Sequence, residues 1–160
     1  EAKRRGFTEP DVRDDLGGLD VARKAVILAR EAGWPLSLND VRVESLVPDG
    51  LRDVSPAEAL ERLDLVDAEL HARLEAARSK DQVLRMGARV GPRGAEVALR
   101  GHAPDHPFAA ARGTDNVIRI TSARYRERPL VVQGPGAGPE VTAAGVFAEL
   151  MALARAAGGR

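Results

Sequence analysis

The chain has 160 residues, with 24 Lys and Arg balancing 24 Asp and Glu, so no net field exists to recruit nucleic acid or an anionic membrane. Hydrophobic residues make up 44% and charged residues 30%, as in a soluble globular domain large enough to bury a core, and no cysteine is present, which excludes disulfides and thiolate chemistry and leans the compartment towards the cytoplasm. Aromatic residues amount to 3%, too few for base-stacking platforms, and the opening "EAKRRGF" lacks the apolar core of a signal peptide. No apolar run approaches the roughly 20 residues that span a bilayer.

The first element is a loop rather than a strand or helix. "GFTEPDVRDDLGGLDVARK" places Glu9, Asp11, Asp14 and Asp15 beside Gly17 and Gly18, then opens a helical pattern with Asp20 and Lys24 four residues apart. Three readings are open for the acidic cluster. It is a solvated turn whose glycines permit a bend, or a pocket for a primary amine, which is best held by one or two carboxylates. A Ca²⁺ loop is the third, but the carboxylate spacing misses the EF-hand pattern. Asp20 and Lys24 share a helix face, either as an exposed ion pair worth roughly 0.3–0.5 kcal/mol or as a carboxylate and an ammonium aimed together at a substrate oxygen.

From Asp20 to Ala32 the spacing of Val21, Ala25, Leu28 and Ala29 predicts a helix, with Asp20 as N-cap or first-turn residue and Gly33 as its stop. "DVRVESLVP" predicts a short strand ending at Pro48. Ser55, Pro56 and Glu58 form a capping-box signal for the next helix. Residues 64–80 follow as an amphipathic helix packed by Leu65, Val66, Leu70 and Leu74. After Lys80 the runs "QVLRMGARV", "AEVALRG" and "DNVIRITSARY" are β-branched and broken by turn signals, as in antiparallel strands. The chain closes with a strand, the glycine turn "QGPGAG" and a helix from about Val141 to Ala157. The order is that of an α+β fold, an antiparallel or mixed β-sheet with helices on one face. His71, His102 and His106 read as surface residues, and no metal site is expected. Gly134, Gly136 and Gly138 read either as a tightly packed strand-to-helix turn or as a place where backbone amides approach a phosphate or a flat ring.

The loop closely resembles the signature G-x-x-E-P-D-P-x-x-D-L-x-G-x-D-x-x-x-K of the homoserine dehydrogenase family, and "PLVVQGPGAGPEVTAAGVFAEL" resembles that family's closing strand, turn and helix. The likeness covers essentially the whole chain. Its middle, from "NDVRVESLVP" to "GTDNVIRITSARY", is most similar to the C-terminal portion of bifunctional aspartokinase–homoserine dehydrogenases. The resemblance implies NAD(P)-dependent interconversion of L-aspartate 4-semialdehyde and L-homoserine, in threonine and methionine biosynthesis. It implies Lys24 as proton donor with Asp20 beside the reacting oxygen, and Glu9, Asp14 and Asp15 as substrate-binding carboxylates. Gly136 and Gly138 would lie near the cofactor, NADP or NAD. It also implies a homodimer, with residues 1–130 as a substrate-binding and dimerisation domain and 131–160 as a closing unit on the cofactor side. The family's dinucleotide-binding half, with its own glycine fingerprint and a further catalytic lysine, is not in these 160 residues. The terminal helix is therefore expected to pack on an absent Rossmann domain, and the chain by itself is expected to be inactive. A non-catalytic dimerisation or interaction module is the alternative. Two departures stand out: Val12 replaces the family's proline, and Pro139-Glu140 replaces Asn-Asp after the glycine turn.

Overall fold

A computed structural model describes residues 3–6, 8–136 and 138–158. Glu1, Ala2, Phe7, Ala137, Gly159 and Arg160 lie outside the described residues, Phe7 and Ala137 falling within the two motifs quoted above. The chain divides into two compact units, one running from Thr8 to Ala109 and the other formed by the chain before and after it.

In the Thr8–Ala109 unit, α1 (Val12–Leu16) turns through Gly17 and Gly18 into α2 (Leu19–Glu31). Leu16 O accepts the amide of Leu46 at 3.0 Å, which ties this junction to the segment after β1 (Val41–Val43). The short helices α3 (Pro56–Glu61) and α4 (Asp67–Arg78) come next, then the hairpin β2 (Val83–Gly91) and β3 (Gly94–His102), and a last turn, α5 (Pro107–Ala110). The sheet order is β1-β3-β2. β2 and β3 are antiparallel, pairing Val83 with His102 and Gly91 with Gly94, whereas β1 runs parallel to β3 with Val41 opposite Ala95. The sheet is mixed, as a strand entering from a helical segment rather than a hairpin permits.

Side chains alternate across the sheet. Val41, Ala88, Val90 and Ala95 pack with Ala25, Ala29, Leu36 and Trp34, so α2 covers one face. By the same alternation Arg42, Arg85, Arg89, Glu96 and Arg100 occupy the opposite face, where Glu96 pairs with both Arg42 and Arg100. Small residues on α2 let the helix lie close to the sheet. Ala22, Ala25, Val26 and Ala29 are buried, while Ile27 and Leu28 are exposed. Leu28 was expected in the core; its place is taken by alanines because a longer side chain would hold helix and sheet apart. Val97 on β3 is fully buried, and shielding a valine from water is worth about 1.5–3 kcal/mol.

Several boundaries differ from expectation. α2 begins one residue early, with Gly18 as N-cap, while Asp20 sits in its first turn, one of the two places expected for it. β1 stops at Val43: Glu44 N still bonds Val97 O on β3, but Leu46 N then bonds Leu16 O at the α1–α2 junction instead of the neighbouring strand. Residues 63–66 form a 3-10 turn before α4; there Val66 is buried but Leu65 is half-exposed. Ser55 caps α3 as expected, accepting from Glu58 N at 3.2 Å with Pro56 in the first turn, but the Glu58 carboxylate pairs with Arg62 at 2.8 Å.

The second unit contains the antiparallel pair β4 (Asp115–Ile120) and β5 (Leu130–Pro135), joined in register from Asp115–Pro135 to Ile120–Leu130, followed by α6 (Pro139–Gly158). β4 ends at Ile120, five residues short of the expected strand. No described residue of α6 is buried; Phe147 and Leu153 are 63% and 66% exposed. At 20 residues, with only Glu140, Glu149 and Arg155 charged, α6 is long and apolar enough to cross a bilayer by length and composition alone. The expectation that no segment reaches that length is corrected accordingly, although a helix that packs on a partner passes the same test. Helices, a mixed sheet and a separate strand pair make an α+β chain.

Candidate active site

The acidic loop is built around two short-range devices. Asp11 is the N-cap of α1, accepting from Arg13 N at 3.0 Å. Asp15, one helical turn on, accepts the backbone amide of Glu9 at 3.0 Å, so the segment curls back with its carboxylates on the outside. Glu9, Asp14 and Asp15 are exposed. Gly18 makes the bend into α2 with φ at +72°, a left-handed conformation that glycine adopts without a Cβ penalty. It is also tightly surrounded: a Cβ there would lie 3.1 Å from methyl groups of both Val43 and Val97.

Beyond that bend Lys24 Nζ stands 2.7 Å from Asp20 Oδ2, the two side chains being 53% and 38% exposed. The residues singled out in the sequence thus fall into two pairs, Glu9 with Asp15 and Asp20 with Lys24. No hydrogen bond or ion pair joins one pair to the other among the described residues, and Asp14 contributes charge rather than a contact. The arrangement can present carboxylates to an ammonium group and, from the adjoining helix, an ammonium to an oxygen. Among the described residues no group of three or more His, Asp or Glu side chains is disposed to hold a metal ion, so the Ca²⁺-loop reading has no ligand set there.

Gly136 and Gly138 belong to the second unit. Gly136 N donates to Thr114 O at 2.8 Å, and Gly138 O accepts the amide and hydroxyl of Thr142, both at 3.1 Å, at the start of α6. A Cβ at Gly134 or Gly138 would meet nothing within 4 Å. At Gly136, by contrast, the Asn116 side chain fills the space a Cβ would take, so open backbone that a phosphate or flat ring could approach is found at Gly134 and Gly138 but not at Gly136.

Three features escaped the sequence. The Arg13 guanidinium grips Asp11 through Nε and Nη2, and reaches the carbonyls of Leu51, Arg52 and Val54 through Nη1. Its pKa is raised further by the Asp11 hydrogen bond, with Asp14 and Asp53 adding to the effect against burial. Glu44 accepts from Arg73 and from Leu99 N at 3.1 Å, and the Arg73 bond holds its carboxyl below the ordinary glutamate value. Both line an open cleft of about 240 Å³ that also includes Lys80, Gln82 and Leu84 but none of the acidic-loop residues. Finally, His102 and His106 are half-buried rather than surface groups, their rings 4.6 Å apart and both edge-on to Phe108. Burial, then the neighbouring His106 and the arginines at 100, 85 and 89, lower the His102 pKa.

The whole segment that carries these groups, residues 1–151, matches the family model described as homoserine dehydrogenase. The chain belongs to the homoserine dehydrogenase family. It is 48% identical over 157 residues to the maize (Zea mays) bifunctional aspartokinase/homoserine dehydrogenase 2, covering 96% of this chain and 17% of the maize protein. It is 43% identical to the homoserine dehydrogenase of Schizosaccharomyces pombe, over 95% of this chain and 42% of that one. A crystal structure of a Candida auris protein of unknown function superposes with a TM-score of 0.86 at 43% identity, over 96% of this chain and 44% of the other. The chain thus spans less than half the length of each of these three proteins.

Proposed function

We propose that this chain forms the substrate-binding part of an NAD(P)-dependent homoserine dehydrogenase that interconverts L-aspartate 4-semialdehyde and L-homoserine. The observation that carries the proposal is the Asp20–Lys24 pair at 2.7 Å, set on the first turns of α2 directly after the curled loop of Glu9, Asp14 and Asp15. Both substrate and product carry an α-ammonium. Glu9 and Asp15, with Asp14 adding negative charge, hold that ammonium by charge-assisted hydrogen bonds. In the reductive direction the aldehyde oxygen gains negative charge, and Lys24 supplies the proton while its ammonium offsets that charge. Asp20 fixes the direction in which Lys24 points. The nicotinamide cofactor, when bound, supplies the hydride for reduction and takes it in oxidation; Gly136 and Gly138 are the residues of this chain proposed to lie against it.

Turnover requires the nicotinamide to come within about 3–3.5 Å of the reacting carbon, and the described residues form no dinucleotide-binding fold. We therefore propose that it acts with a Rossmann half, against which α6 packs, that it pairs as a homodimer, and that it works in the cytoplasm. The competing reading is a non-catalytic interaction module, favoured by the solvent exposure of the acidic loop and α6. Calorimetry with L-homoserine separates the two. Heat of binding that disappears in Glu9→Gln and Asp15→Asn is the result expected of a substrate cradle. No heat at millimolar ligand, with the fold intact, overturns it in favour of the module.

A further inference from the structure

Arg13 has no part in the chemistry just described, yet it is more fully bonded than the residues that do. Nε lies 3.0 Å from both oxygens of Asp11 and Nη2 lies 2.6 Å from Oδ2, while Nη1 lies 3.0, 3.0 and 2.7 Å from the carbonyl oxygens of Leu51, Arg52 and Val54. One planar fork thus joins the loop before α1 to a turn 38–41 residues further along the chain. That turn is itself anchored, since Leu51 is 1% exposed.

The consequence falls on the cradle. α1 has five residues, too few to hold a helical shape unaided, because the first turn costs more order than its hydrogen bonds return. Asp11, which Arg13 grips, is the cap that starts α1. α1 carries Asp14 and Asp15, and Asp15 in turn receives the amide of Glu9. We propose that Arg13 is a positioning residue for substrate recognition: by bridging Asp11 to the 51–54 carbonyls it fixes the turn that presents Glu9 and Asp15 to the α-ammonium of the amino acid. This inference rests on the substrate reading proposed above. An arginine that only stabilised the fold would leave the affinity of the folded enzyme for its amino acid unchanged.

The test uses the enzyme together with its dinucleotide-binding half. Arg13→Gln should raise KM for L-homoserine by about tenfold or more, because misplacing a binding group by about 1 Å can cost up to 10²-fold. The effect on kcat should stay within about threefold, and KM for the nicotinamide cofactor should not move. Arg13→Lys, which keeps the charge but loses the fork, should recover only part of the loss. Asp11→Asn caps a helix as well as aspartate does but weakens the charged pair, so it should raise KM for homoserine less. Combined with Arg13→Gln it should add nothing further.

A soluble Arg13→Gln enzyme with wild-type KM for homoserine overturns the proposal, as does an equal rise in KM for the cofactor. If Arg13→Gln does not fold, Asp11→Asn decides alone by the same criterion. Absence of homoserine-dependent NAD(P) reduction in the wild-type enzyme sinks the substrate reading instead. Even then, hydrogen exchange on this chain tests the clamp itself. Arg13→Gln should speed exchange of the Asp14 and Gly17 amides, which bond to Asp11 O and Arg13 O, while β2–β3 amides stay protected. Unchanged exchange refutes the clamp.

Discussion

Gly18→Ala is the substitution whose cost the structure specifies most closely. Two penalties combine at that position. With φ at +72° an alanine pays about 1–2 kcal/mol for a left-handed backbone. Its methyl would also stand 3.1 Å from Val43 Cγ1 and Val97 Cγ1, closer than carbon atoms settle, and Val97 has no exposed surface towards which to yield. Overfilling a packed site costs about 1–3 kcal/mol, so the variant should lose about 2–5 kcal/mol in total. Gly33→Ala is the matched control. Its φ is +83°, but nothing lies within 4 Å of the added methyl, so only the backbone penalty of about 1–2 kcal/mol applies. Urea unfolding followed by tryptophan fluorescence measures both. Trp34 is the chain's single tryptophan and packs against the Ala25–Ala29–Leu36–Ala95 core, so the signal reports the Thr8–Ala109 unit. If the two variants lose the same stability to within about 0.5 kcal/mol, the close contacts at Gly18 are not energetically real and the account of that bend is wrong.

Three further outcomes are expected. In the enzyme completed by a dinucleotide-binding half, Lys24→Ala should lower kcat by roughly 10²–10⁴ and leave cofactor affinity unchanged; the lost ion pair is exposed and worth only about 0.3–0.5 kcal/mol, so melting should barely shift and normal turnover would make Asp20–Lys24 a surface pair. Glu44→Gln should destabilise the chain at neutral pH but much less in acid. The folded carboxyl titrates below its ordinary value of 4.5, so between that value and its folded pKa the unfolded state binds more protons; the stabilisation is fully present above about pH 4.5 and is lost as pH falls through the folded pKa, and unfolding curves for wild type and variant that stay parallel across the acid range would refute the Arg73 and Leu99 contacts. Phe147→Glu with Leu150→Glu should abolish concentration-dependent species larger than a dimer in sedimentation velocity, because both side chains are more than half exposed on a helix with no buried face; unchanged association would place the contact elsewhere.

What the amino-acid sequence determined by itself is local. The end of α2 follows from residues within one turn: Gly33 N bonds Arg30 O and Trp34 N bonds Ala29 O, both at 2.9 Å, which is the arrangement a glycine after a helix favours. The start of α3 at Ser55-Pro56 and the β2–β3 hairpin are of the same kind, as is the identity of the acidic loop, since each depends on neighbours along the chain. Tertiary structure decided the rest. That β1 runs parallel to β3, and that alanines rather than Leu28 face the sheet, depend on how closely two distant elements approach, which helical spacing alone does not encode. Arg13 shows the difference most plainly. Its partner Asp11 is two residues away, but the carbonyls of Leu51, Arg52 and Val54 come within its reach only after the chain has folded, and backbone oxygens carry no side-chain signature to announce them.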